Sequence, residues 1–106
     1  MLRPPRIEKV ITSLLGSAGE SDVSLRRGVF EQVRTGRGEV PENLTALVGK
    51  IARRPWTVTD DDILQAREAG YSEDQVYELV LAAATGAGVR RLDAGLRAIE
   101  EAKGCV

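Results

Sequence analysis

An all-α fold is predicted by three features of the sequence. Apolar residues recur at three- and four-residue spacing, which places them on one face of a helix. Residues that start and end helices lie at the boundaries of these stretches, and no segment shows the apolar–polar alternation of a strand. The 106 residues also match the length of one domain. We therefore expect about five helices in a single domain spanning residues 1–106.

The first three predicted helices are amphipathic. Residues 6–18 follow a pair of prolines, and residues 23–35 end before Gly36. Pro41 is expected to open the third helix as a first-turn proline, and Pro55 ends it. Their apolar stripes are Ile7, Val10, Ile11, Leu14 and Leu15, then Leu25, Val29, Phe30 and Val33, then Leu44, Leu47, Val48, Ile51 and Ala52.

The fourth and fifth helices have the clearest predicted boundaries. Thr59 and Asp62 form a capping-box pattern at the start of the fourth helix, and Gly70 is expected to end it in the left-handed conformation. Ser72 and Gln75 repeat the capping-box pattern two residues later, so a new helix is expected to start there.

The fifth helix is predicted to be long, with an apolar stripe that continues to Ile99 and a helix end near Lys103. Gly86 and Gly88 interrupt it, which predicts either a kink or a close crossing by another helix. They belong to a run of small residues, 82–88, that would open a ligand pocket or let two helices pack closely. We favour packing, because close helix packing is the more common role of small residues. Without the lysine pattern of a phosphate-binding loop, the glycines are not a nucleotide-binding motif.

The chain contains no histidine and one cysteine, Cys105. Histidine-assisted nucleophiles and an intramolecular dithiol centre are therefore excluded, and a zinc site is not expected. The successive aspartates at 60–62 point about 100° apart on a helix and cannot close around one cation. We expect no metal and no cofactor.

The arginines are the main candidates for binding an anion. Residues 1–54 carry ten Lys and Arg against six Asp and Glu, whereas residues 55–106 carry five against ten. The arginines that would bind phosphate if they converged are Arg26, Arg27, Arg34, Arg37, Arg53, Arg54, Arg90 and Arg91. We favour the alternative that each is a solvated helix edge.

The helix pair across Gly70 has the spacing of a helix-turn-helix. The start of its second helix would enter the major groove. This segment carries Glu73, Asp74 and Glu78 and contains no lysine or arginine. An acidic surface is repelled by DNA phosphates, so nucleic acid is not expected as a partner.

The longest apolar run is also far short of the roughly 20 residues of a membrane span. With no signal-peptide pattern and a single cysteine, we expect a cytoplasmic protein with no membrane partner.

Residues 47–102 contain a series of short segments in a recognisable order. They are Leu47-Val48, Ile51-Ala52, Trp56-Thr57-Val58-Thr59-Asp60, Ala69-Gly70-Tyr71-Ser72-Glu73-Asp74-Gln75-Val76 and Arg90-Arg91-Leu92. In these segments the chain resembles the C-terminal part of the carboxymuconolactone decarboxylase and alkylhydroperoxidase-D-like superfamily. The resemblance implies an alkylhydroperoxidase-D-like helical bundle that associates into oligomers.

The catalytic residues of that superfamily are absent. Its peroxidases carry Cys-x-x-Cys followed by His before this segment and its decarboxylases use a His with acids, but residues 23–46 contain neither Cys nor His. The resemblance therefore implies a pseudoenzyme, which acts as a subunit of a homo-oligomer or as the partner of a catalytic paralogue or another protein. The residues expected to form its interaction surface are Glu73, Asp74, Glu78, Ala83, Gly86, Gly88, Arg90 and Arg91.

Two other functions are compatible with the sequence. An enzyme without histidine would use Glu31, Glu78, Tyr71 or Tyr77 for acid–base catalysis in a closed helical pocket. The third hypothesis is a regulatory nucleic-acid-binding protein.

Overall fold

The computed structural model describes residues 3–16, 19 and 21–104, and within these it contains five α-helices and no strand. The helices are α1 (Pro5–Leu14), α2 (Val23–Thr35), α3 (Thr45–Arg53), α4 (Asp60–Glu68) and α5 (Glu73–Gly104), with 3-10 turns at Glu42–Leu44 and Pro55–Thr57. The predicted all-α class, the five helices and the long last helix are confirmed. Cys105 lies outside the described residues.

The helix boundaries at α4 and α5 follow the predicted caps. The Thr59 backbone N–H donates to Asp62 Oδ2 (2.9 Å) and the Asp62 N–H donates to Thr59 Oγ1 (3.3 Å). Ser72 and Gln75 make the same reciprocal pair at 2.9 and 3.1 Å. Gly70, with φ of 110°, separates the two helices in a conformation that favours glycine.

Two boundaries differ from the predictions. α1 ends at Leu14, four residues before the expected end, and the carbonyl oxygens of Leu14 and Gly16 accept hydrogen bonds from the Arg26 guanidinium. Helix α3 begins at Thr45 and not at Pro41, because a 3-10 turn closed by Leu44 N–H to Pro41 O (3.0 Å) comes first.

Helix α5 is the common partner of the other helices, and its heaviest packing is against α2. A methyl group on Gly86 would lie 2.7 Å from the carbonyl oxygen of Phe30, so the two backbones cross closely there. The helix is continuous from Glu73 to Gly104. The predicted interruption at Gly86 is therefore a close helix crossing. The residues of the main core are Val29, Val33, Leu44, Leu47, Val48, Ile51, Ala66, Val76, Leu79, Ala82, Ala83 and Ala87.

Helix α5 also sets the elongated shape of the molecule. Its 32 residues span about 48 Å, and the longest dimension of the molecule is 55 Å. Within residues 94–104, every residue except Leu96 is exposed. Among the described helices, none is both long and apolar enough to cross a membrane.

Candidate functional site

A cleft of about 710 Å³ opens between the C-terminal half of α2, the loop at residues 36–40, α3 and α5. Its rim carries three arginines, Arg34 from α2, Arg53 from α3 and Arg90 from α5. A smaller recess of about 260 Å³ shares Arg53 and Arg90 and adds Arg91. We call this joint surface the arginine cleft. Its other lining residues are Gln32, Val33, Thr35, Gly36, Gly38, Val40, Thr45, Val48, Gly49, Ala52 and Ala87.

The loop that walls the cleft lies directly on α2 because of two glycines. A side chain at Gly38 would overlap the Gly28 carbonyl oxygen and the Gln32 backbone nitrogen, and one at Gly28 would overlap the Glu39 carbonyl oxygen. Gly36, with φ of 79°, ends α2 and turns the chain into this loop. The cleft wall therefore depends on backbone packing that only glycine allows.

A third glycine gives Arg53 its position. A methyl group on Gly49 would lie 2.7 Å from Arg53 Nη2, so the Arg53 side chain folds back over the preceding turn of α3. Because Gly49 lines the cleft, this conformation brings the guanidinium to the cleft. Arg90 approaches from the facing helix α5, and the small side chains of Ala52 and Ala87 leave space between them.

The arginines of the cleft differ in how their charge is balanced. Arg34 donates to both carboxylate oxygens of Glu31 (2.8 and 3.2 Å), and this contact raises the pKa of Arg34 above its usual value. Among the residues that the structure describes, Arg53, Arg90 and Arg91 have no carboxylate within ion-pair distance, and no carboxylate lines the cleft. Within the described part of the chain, the surface therefore holds three arginines that are not ion-paired.

The structure separates the residues expected to form an interaction surface. Ala83 and Gly86 are buried within the chain, as the packing interpretation of the small-residue run requires, and are not available to a partner. Gly88 is exposed beside them. Glu73 and Asp74 are exposed in the first turn of α5. Arg90 and Arg91 are exposed at the arginine cleft, whereas Glu78 is half-buried on another part of α5.

Glu78 takes part in contacts within the chain. Its Oε2 accepts a hydrogen bond from the Ser21 N–H at 2.6 Å. A methyl group on Gly19 would lie 2.7 Å from Glu78 Oε1 and 3.3 Å from Arg26 Cζ, so carboxylate and guanidinium meet beside this glycine. Arg26 is 2% exposed and donates to two carbonyl oxygens at the end of α1. This cluster joins α1, α2 and α5.

The four candidates for acid–base catalysis are not grouped around the cleft. Glu31 pairs with Arg34, and Glu78 belongs to the cluster just described. The Tyr71 hydroxyl donates to Asn43 Oδ1 (3.4 Å), and Tyr77 is 64% exposed. Of the residues that the structure describes, no tyrosine and no carboxylate lines the arginine cleft.

Known proteins give no further guide to the site. No protein-family model, characterised protein or solved structure matches the chain significantly.

Within the described residues, no three acidic or cysteine side chains are grouped closely enough to hold a metal ion. Asp62 instead accepts hydrogen bonds from Lys50 Nζ at 2.8 and 2.9 Å, which ties α4 to α3.

The sequence names the arginines of the cleft as anion-binding candidates, but it favours solvated helix edges and does not predict that they line one cleft. Arg53, Arg90 and Arg91 stand out as pairs of neighbouring arginines, but their convergence depends on how α3 and α5 pack. Gly28 and Gly38 are the sequence signal that could have indicated the cleft wall. A glycine in a helix, followed ten residues later by a glycine in a loop, allows that loop to lie directly on the helix.

Proposed function

We propose that this chain is a non-catalytic helical protein that assembles with further copies of itself and acts as a binding subunit. The observation that carries the proposal is the last part of α5, residues 94–104, where nearly every side chain is exposed. Ile99 is 47% exposed and lies on the same helix face as Leu92 and Leu96. An apolar stripe at this spacing is typical of a helix that buries one face against another helix.

The charges beside this stripe favour a second copy of the chain as its partner. Arg97 and Lys103 alternate along the helix with Glu100 and Glu101. Two such segments packed against each other in opposite directions can place acids of one copy beside bases of the other. Because each segment carries both acids and bases, a second copy of the same chain can supply the complementary charges.

A second exposed apolar surface supports assembly as well. Val10 of α1 and Leu81 of α5 line a shallow groove of about 410 Å³, and Tyr77 is exposed one turn before Leu81. Trp56, 77% exposed in the 3-10 turn after α3, is a further exposed aromatic side chain that does not line this groove. Exposed large apolar side chains that share a surface are typical of protein contact sites.

The absence of catalysis is proposed from the composition and the resemblance together. The chain has no histidine, and its one cysteine cannot supply a dithiol. From the resemblance of residues 47–102, we propose that it is a divergent member of the carboxymuconolactone decarboxylase and alkylhydroperoxidase-D-like superfamily without that superfamily's chemistry. Purified chain is expected to show neither thiol-peroxidase nor decarboxylase turnover, and substantial turnover of either kind would refute this part.

The assembly is tested by the light-scattering mass of the purified chain. We expect a mass of at least two copies that falls to one copy in Ile99→Glu. Ala94→Glu is the matched control, because it places the same charge on the opposite face of the same helix segment and is expected to keep the assembly. Circular dichroism of both variants checks that the helices are retained. A monomeric parent chain would refute the proposal.

A further inference from the structure

We infer that the arginine cleft is a binding site for a small phosphorylated molecule. Arg53, Arg90 and Arg91 share this surface and have no carboxylate partner among the described residues. Like charges brought together in a cleft repel one another and favour an anion that neutralises them. The chain contains acidic residues in excess elsewhere, so the local positive charge does not follow from overall composition.

The directions from which the arginines approach favour phosphate over carboxylate. Arg53 is folded across Gly49 on α3, whereas Arg90 and Arg91 extend from α5 on the facing side. A guanidinium binds two oxygens of an anion at once, and a planar carboxylate is satisfied by one such fork. A phosphoryl group offers three oxygens in different directions and about two negative charges, so it can bridge arginines from two helices.

The size and shape of the cleft favour a small ligand over a nucleic acid. A volume of about 710 Å³ lies within the roughly 300–1,000 Å³ range of small-molecule sites. Val33, Val40 and Val48 line its interior and can contact the organic part of the molecule. Duplex DNA instead requires charges spread along an extended surface. Among the described lining residues there is no aromatic side chain on which single-stranded bases could stack.

The inference is independent of the proposed assembly through residues 94–104 and is tested on the full chain with inorganic pyrophosphate as the probe. Isothermal titration at physiological salt is expected to detect binding, which Arg53→Ala and Arg90→Ala each weaken by about tenfold or more. Arg53→Lys is expected to weaken binding as well, because lysine keeps the charge and loses the two-pronged contact. Thermal unfolding of each variant checks that the fold is retained.

Three comparisons can overturn the inference. Arg67→Ala removes an exposed arginine on α4 with the same change in net charge, and an equal loss of pyrophosphate binding there would show that only overall charge matters. Citrate binding as tightly as pyrophosphate would contradict selection of phosphate. Duplex DNA that displaces pyrophosphate at physiological salt would assign the surface to nucleic acid, and failure of the parent chain to bind pyrophosphate would exclude the site.

Discussion

Gly86 of α5 and Phe30 of α2 meet through their backbones, at a distance where a methyl group on residue 86 would lie 2.7 Å from the Phe30 carbonyl oxygen. It would also lie 3.2 Å from Val33 Cβ. Neither neighbour is the flexible end of a long side chain, so both helices must separate to admit a larger residue. This close contact between α2 and α5 therefore requires glycine at position 86.

Gly86→Ala is expected to destabilise the protein by about 1–3 kcal/mol, because the added methyl group overfills the helix crossing. Gly88 provides the control, since it lies in the same helix and a methyl group there would meet no atom within 4 Å. Gly88→Ala is expected to stabilise the protein by about 0.5–1 kcal/mol through higher helix propensity. Urea unfolding measures both values. Equal changes in the two variants would contradict the close crossing.

Replacing the buried Arg26 is expected to cost more than replacing the exposed Arg27 beside it. Arg26→Met leaves the carbonyl oxygens of Leu14 and Gly16 without their guanidinium donors, and we expect a loss of about 2–4 kcal/mol in the free energy of unfolding. Arg27→Met changes an exposed side chain and is expected to stay within about 0.5 kcal/mol of the parent. Similar losses would show that the α1 contacts of Arg26 contribute little.

The contact between α3 and α4 is tested at Asp62. This carboxylate accepts hydrogen bonds from Lys50 Nζ and from the Thr59 N–H, whereas Asp61 is exposed in the same helical turn and makes neither contact. Asp62→Ala is expected to lower Tm clearly more than Asp61→Ala does, since only the first removes the ion pair and half of the capping box. Thermal unfolding followed by circular dichroism gives the comparison, and equal Tm values would count against it.

The contribution of Asp62 to the free energy of unfolding is expected to disappear in acid. Its hydrogen bond from Lys50, with that from the Thr59 N–H, lowers the pKa of the Asp62 carboxyl in the folded protein below its ordinary 3.8. The unfolded chain therefore binds the proton first as pH falls, so the stabilisation is complete above pH 3.8 and declines as pH falls through the folded-state pKa. The difference in unfolding free energy between the parent and Asp62→Ala is expected to be constant near neutral pH and to shrink below 3.8. A difference that grows in acid would contradict this assignment.

The sequence predicted those parts of the fold that are decided within a few residues. Thr59 with Asp62, and the glycine at position 70, carry their own capping chemistry, so the limits of α4 could be predicted without the rest of the chain. The early end of α1 could not, because a guanidinium ten to twelve residues further along the chain binds the last carbonyl oxygens. The same limit applies to the 3-10 turn before α3, where Pro41 was expected to start the helix itself.

The candidate site was predicted less completely than the fold. Arg53 and Arg90 could be named as anion-binding candidates, but they are 37 positions apart and line the same recess only because α3 packs on α5. Ala83, Gly86 and Gly88 were expected on one interaction surface, but the structure buries the first two and leaves Gly88 exposed. The burial of Gly86 follows from its crossing with α2, which the sequence does not show. Helix periodicity shows which residues share a face, whereas tertiary packing decides which faces remain exposed.

Because α5 follows α1 to α4 in the chain and is the partner on which they all pack, the order of protein synthesis has a consequence for the nascent chain. The first four helices leave the ribosome before the residues that bury Val29, Val33 and Leu47 have been made. Their apolar faces then have only each other, or a chaperone, to contact until α5 emerges. Stalling translation before residue 73 would therefore hold a nascent chain that is open to proteases and chaperones, and release of α5 would close it in one cooperative step.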